Sequence, residues 1–80
     1  MKRVHVHYLA ILREQRGIAE ETCATAAATA IDLYNELRER FGFTLPPERI
    51  RAAINEEFAA PEAELREGDR VAFLPPVAGG

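Results

Sequence analysis

The sequence predicts an α+β domain in which one amphipathic helix packs on one sheet. Near the N-terminus, Val4, Val6 and Tyr8 alternate with Arg3, His5 and His7, the period-two pattern of a half-buried strand. Mid-chain, Ala30, Leu33, Leu37 and Phe41 recur at helical spacing. Close to the end, Arg70 to Leu74 alternates again, with Val71 and Phe73 on one face.

The first strand passes into Leu9 to Arg16, whose spacing is helical and which stops at Gly17, a natural terminator. Ile18 to Thr25 reads as a second strand, hairpinned to the first. The main helix spans Ala30 to Phe41. Thr29 is its expected N-cap, and Asp32 supplies an acid in the first turn. Ile31 and Tyr34 flank the buried stripe, and Glu36 and Arg40 form an i,i+4 pair outside. Gly42 ends the helix, and Pro46-Pro47 prevents its resumption. Ile50 to Asn55 reads as a third strand, with Phe58 on a short return strand. Leu65-Arg66-Glu67-Gly68-Asp69 is turn chemistry leading into the last strand.

Bulk properties bound the function. Eighty residues make one domain with one core. A chain this short buries roughly 60% of its unfolded surface, so a deep active-site cavity is hard to hold open. Apolar content of 48% with 29% charged residues fits a globule rather than a disordered chain. The net charge of −3, with scattered basic residues, argues against nucleic acid as a partner. One cysteine, Cys23, excludes an internal disulfide and any CxxC motif. No stretch reaches the roughly 20 apolar residues of a membrane span. The N-terminus lacks the pattern of a signal peptide, so the expected compartment is the cytoplasm.

No catalytic set emerges from the side chains. Cys23 sits among Thr22 and Ala24, where a lone cysteine is a small buried hydrophobe without a thiolate-stabilising neighbour. His5 and His7 share a strand face, but a metal site needs three or four ligands and the chain has no further histidine. No metal is expected. Glu20-Glu21 and Glu56-Glu57 read as surface charge, since neighbours on a strand point to opposite faces.

The C-terminus is different. After Leu74 the chain reads Pro75-Pro76-Val77-Ala78-Gly79-Gly80. Two prolines cannot extend a central strand and favour an extended conformation. Residues 1–74 therefore form the expected domain and residues 75–80 a tail, able to reach ~20 Å when extended. Gly79 and Gly80 carry no Cβ, so the terminal carboxylate can pass down a narrow channel into a partner. Once there, it needs activation, and adenylation by ATP supplies a leaving group.

These residues resemble a known family. Leu65-x-x-Gly68-Asp69-x-Val71-x-x-x-Pro75-Pro76-Val77-x-Gly79-Gly80 is similar to the ending of the small, sulfur-carrier subunit of molybdopterin synthase, the MoaD type. Ala10-x-Leu12-Arg13-Glu14-x-x-Gly17, the Thr29-capped helix and Ala52-Ala53-Ile54-Asn55 extend the likeness over essentially the whole chain.

The resemblance implies a ubiquitin-like β-grasp fold on a mixed sheet. It implies that a ubiquitin-activator-like adenylyltransferase uses ATP to make an acyl-adenylate at Gly80. A persulfide donor then supplies the sulfur of a thiocarboxylate. The large synthase subunit takes up the tail, in a heterotetramer of two small and two large subunits, and sulfur passes to cyclic pyranopterin monophosphate. Gly80 then carries the reacting atom, and Pro75, Pro76, Val77, Ala78 and Gly79 guide it. Ala53, Ala72 and Leu74 form an expected apolar patch for partners. Catalytic side chains lie on the large subunit, and this chain binds no permanent cofactor.

One position departs from the family pattern: Phe73-Leu74 stands where an aromatic pair precedes Pro-Pro. Leucine stays apolar but loses the ring area, which bears on affinity for the large subunit. Two other uses of the same tail fit as well. One is sulfur carriage for thiamine or tRNA thiolation. The other is conjugation to target lysines, although the chain offers only Lys2 for building on itself. An interaction module with an idle tail would instead tolerate loss of Gly79-Gly80.

Overall fold

The computed structural model describes residues 1–76. Strand β1 (Lys2–Tyr8) is followed by helix α1 (Ile11–Arg16), strand β2 (Glu20–Thr25) and helix α2 (Ala30–Phe41). A single 3-10 turn (Pro47–Arg49) leads to strands β3 (Arg51–Ile54), β4 (Glu57–Ala59) and β5 (Arg70–Leu74). The sheet is five-stranded in the order β2-β1-β5-β3-β4. The first and last strands lie side by side and parallel, with Val6 opposite Val71 and Tyr8 opposite Phe73. The β1–β2, β3–β4 and β3–β5 pairs are antiparallel, so the sheet is mixed.

The alternation read from β1 and β5 decides which face is covered. Val4, Val6, Tyr8, Val71 and Phe73 are all at most 1% exposed and meet Ala30, Leu33, Tyr34 and Leu37 of α2. Burying one such side chain contributes about 1.5–3 kcal/mol, so this layer supplies most of the drive to fold.

The start of α2 is fully tied. The Asp32 N–H donates to Thr29 Oγ1 at 3.2 Å, and the Ala30 and Ile31 N–H groups donate to the carbonyls of Ala63 and Pro61. That leaves the loop from 60 to 65 strapped across the helix N-terminus. At the other end Gly42 takes φ 73°, and its N–H donates to the Arg38 carbonyl.

Several expectations change. Phe41 is only partly buried; Phe43, just beyond Gly42, turns back into the core at 3% exposure. It stacks near Tyr34 and meets Tyr8 edge-on. Tyr34 is no flank residue: it is fully buried, and its hydroxyl donates to the Leu45 carbonyl at 2.8 Å. Leu65, read as turn, is 2% exposed and belongs to the core. The Glu36–Arg40 pair does not form. Glu36 instead accepts from the Thr25 hydroxyl, because Thr25 is buried and needs an acceptor. Arg40 lies over the Phe41 ring at 5.2 Å. Glu56 is not on a strand: with Asn55 it makes the β3–β4 turn, at φ 74° and φ 53° respectively. Two successive positive φ values are the geometry that matches the twist of a two-residue hairpin.

Candidate functional site

The sheet face away from α2 holds the candidate patch. Register sets its members: Ala53 pairs with Ala72 and with Phe58, His7 with Ala72, and Arg51 with Leu74. Since paired residues share a face, Ala53, Ala72 and Leu74 meet as one half-buried apolar strip. The three residues expected to form a patch are therefore brought together. Phe58 joins them, 67% exposed on the edge strand β4. Its identity as a patch residue was not legible, because a strand as short as Glu57–Ala59 shows no usable period. The pairing with Ala53 is the signal that places it.

The strip ends at the root of the tail. Leu74, Pro75 and Pro76 line a groove of about 490 Å³ together with Arg49, Arg51 and Phe58. The Arg51 guanidinium lies over the Phe58 ring at 5.2 Å. Val77, Ala78, Gly79 and Gly80, expected to guide and carry the reacting atom, lie outside the described residues. What precedes them is fixed firmly: Asn55 exchanges hydrogen bonds with Arg70 and its side chain donates to Asp69, anchoring the start of β5.

The remaining candidates are accounted for by contacts within the chain. His5 and His7 lie on the same outer face, and His5 Nε2 meets Glu20 Oε1 at 3.0 Å. Among the described residues, no group of three or more His, Cys, Asp or Glu is placed to hold a metal ion. Glu21 is more than surface charge. The Tyr8 hydroxyl donates to its Oε2 at 2.6 Å, and Arg16 donates to both its oxygens at 2.9 and 2.8 Å. Hydrogen bonds from Arg16 hold the Glu21 carboxyl below its ordinary range, against the opposing effect of burial. Cys23 is half-buried rather than fully buried, packed at the edge of the core. Burial pushes its thiol up, and Glu21 and Glu36 add to the effect, so the thiolate is disfavoured.

Residues 6–80 match the ThiS family. The chain belongs to that family. Its relative in Escherichia coli (strain K12), a molybdopterin synthase sulfur carrier subunit, is 32% identical over 84 residues, spanning 96% of this chain and 99% of that protein. Among solved structures, a Pyrococcus furiosus protein described as molybdopterin converting factor, subunit 1, superposes with a TM-score of 0.78 at 28% identity, covering 96% of this chain and all of its own. Small archaeal modifier protein 1 of Methanosarcina acetivorans also gives a TM-score of 0.78, at 26% identity over 100% of this chain and 98% of that one. The expected ubiquitin-like β-grasp is thus the fold of this ThiS-family chain: a five-stranded mixed sheet with one main helix across it. No helix among the described residues is long and apolar enough to cross a membrane.

Proposed function

We propose that this chain is the sulfur-carrier subunit of a molybdopterin synthase and that Gly80 is its reacting residue. The observation that carries the reading is the near full-length likeness to the Escherichia coli sulfur carrier subunit, with the family match running through residue 80. In the proposed cycle, a terminal carboxylate oxygen attacks the α-phosphate of ATP in an activating enzyme and pyrophosphate leaves. A persulfide sulfur then attacks the acyl carbon and expels AMP. Thiol cleavage of the donor's S–S bond leaves a thiocarboxylate on Gly80. The large subunit admits the tail and passes the sulfur to cyclic pyranopterin monophosphate, in a heterotetramer of two subunits of each kind. Ala53, Ala72, Leu74 and Phe58 are the apolar docking strip for that subunit; Pro75, Pro76, Val77, Ala78 and Gly79 thread its channel. Catalytic side chains belong to the large subunit, and ATP is held only by the activating enzyme. The proposed site of action is the cytoplasm.

The test is direct. Incubated with a cognate activating enzyme, ATP and a sulfur donor, the chain should exchange one terminal oxygen for sulfur, read by intact mass and C-terminal peptide analysis. Deleting Gly80 should leave the fold intact and abolish molybdopterin formation in a reconstituted assay. An unchanged rate after deletion, or sulfur located on Cys23, would overturn the assignment.

The likeness to a small archaeal modifier protein favours a second reading, conjugation of Gly80 to lysines of other proteins. Lys2 Nζ donates to the Ala27 carbonyl at 2.5 Å, so the only lysine of this chain is a poor acceptor for self-extension. Arg70 is the last tryptic site, so target lysines carrying the Val71-to-Gly80 remnant after trypsin digestion would establish that reading; their absence under sulfur limitation and excess alike would dismiss it.

A further inference from the structure

The root of the tail is locally basic in a chain whose net charge is −3. Arg49 and Arg51 line the groove beside Pro75 and Pro76, against one acid, Glu48. Arg49 and Arg51, like Arg3, Arg13, Arg38 and Arg40, have no carboxylate in salt-bridge reach among the described residues, and of these six only Arg49 and Arg51 line the groove at the root of the tail. Arg51 is also braced. Its guanidinium lies over the Phe58 ring at 5.2 Å, a cation–π contact, and the residue is exposed to solvent.

Distance brings any recipient of the tail to this spot. From Pro76 to Gly80 the chain runs through Val77, Ala78 and Gly79, a reach of at most ~14 Å. A protein that closes around Gly80 therefore has the mouth of its channel against the groove that Arg51 and Phe58 line.

Resting on the proposed sulfur-carrier function, we infer that Arg51, braced by Phe58, is a specificity determinant for the large synthase subunit: its guanidinium takes a carboxylate on the rim of the channel mouth. A planar fork matches a carboxylate in two parallel hydrogen bonds, which an ammonium cannot do. The Phe58 ring beside it receives an apolar side chain of the same rim and supplies the ring area that Leu74 lacks. The contact selects by charge, so it governs which partner engages the tail and leaves the acyl chemistry at Gly80 untouched.

The experiment is titration calorimetry of the full-length chain against the isolated large subunit at low and moderate salt. The Arg51→Glu variant should bind at least about tenfold more weakly and show a shallower salt dependence. Arg51→Lys, which keeps the charge and loses the fork, should bind about three- to fivefold more weakly. Phe58→Ala should weaken binding by about tenfold, and circular dichroism should show it folded, since the ring is exposed. Arg38→Glu, an equal change of charge on the exposed face of α2, should stay within about twofold. Should Arg51→Glu bind as well as Arg38→Glu, or weaken capture by the activating enzyme alone, the inference is overturned. Absence of binding by the unmodified chain would instead overturn the sulfur-carrier reading on which the inference rests.

Discussion

The two ends of the sheet differ in how they use polar groups. At the β1–α1–β2 end, Tyr8, Arg16 and Glu21 satisfy one another, and Arg16 lies 4.1 Å over the Phe41 ring. At the β3–β4 end, Phe58 is exposed and Arg49 and Arg51 have no acid partner among the described residues. The first end spends its side chains on holding the fold together. The second leaves them available beside the tail. Under the proposed docking role, stability and recognition fall to separate regions of a small domain, and each should be open to disturbance without the other.

Two phenylalanines make the sharpest test of that division. Phe43 is 3% exposed and packs with Tyr8, Tyr34 and Phe41, so Phe43→Ala should cost about 3–5 kcal/mol. That is a large share of the roughly 4–12 kcal/mol expected for a chain of 80 residues. Phe58→Ala should alter stability by no more than about 0.5 kcal/mol, because its ring gains little burial on folding. Urea titrations of both variants would settle it. Comparable losses would mean that β4 and its ring are part of the folding core and the division is false.

A smaller effect should appear in the pH dependence of the β1–α1–β2 end. The folded chain holds the Glu21 carboxyl below its ordinary range, chiefly through hydrogen bonds from Arg16. Its contribution is therefore complete above the unfolded value of about 4.3 and fades as pH falls through the lower folded value. Glu21→Gln should lower stability by about 1–2 kcal/mol at neutral pH, where Arg16 and Tyr8 lose a charged acceptor. The gap from the parent should close in acid. A gap that persists well below pH 4 would show that shape rather than charge holds this corner.

Much of this was legible beforehand, for identifiable reasons. The strands β1 and β5 and helix α2 declare themselves because each has one covered face, so burial imprints a period on the sequence. Thr29 and Gly42 mark the helix ends because local hydrogen bonding and φ alone decide them. Phe43 was missed because it follows the glycine stop, and its burial depends on a chain reversal that carries no period. Leu65 was missed for a similar reason: its side chain is buried from within a loop strapped across the start of α2. The Glu21 cluster joins residues from β1, α1 and β2, so only tertiary packing assembles it. On the candidate site, Ala53, Ala72 and Leu74 follow from strand alternation, which also puts Arg51 on their face, whereas Phe58 requires the register of β4 against β3. The tail was the easiest to single out, since Pro75-Pro76 follows directly on the last strand and Gly79-Gly80 is the one Gly-Gly pair in the sequence.

The smallest effect on sulfur carriage is expected at Cys23, and it decides between side-chain and terminal chemistry. Cys23 lies on β2 opposite Val4, half-buried against the core. Burial raises its thiol pKa first, and the carboxylates of Glu21 and Glu36 raise it further. Each cause disfavours the thiolate that a persulfide relay needs. Alkylation of the folded chain at mildly basic pH should accordingly be slower than that of a free thiol. Cys23→Ala removes one sulfur atom from a partly exposed site, so its cost should be about 1 kcal/mol or less, below that of a core Leu→Ala truncation. Thiocarboxylate yield per folded molecule should match the parent at low temperature, with slightly easier thermal unfolding as the only change. A well-folded Cys23→Ala chain that fails to accept sulfur would move the carrier function from the tail to β2. It would also break the division between the two ends of the sheet, because the end that holds the fold would then carry the chemistry.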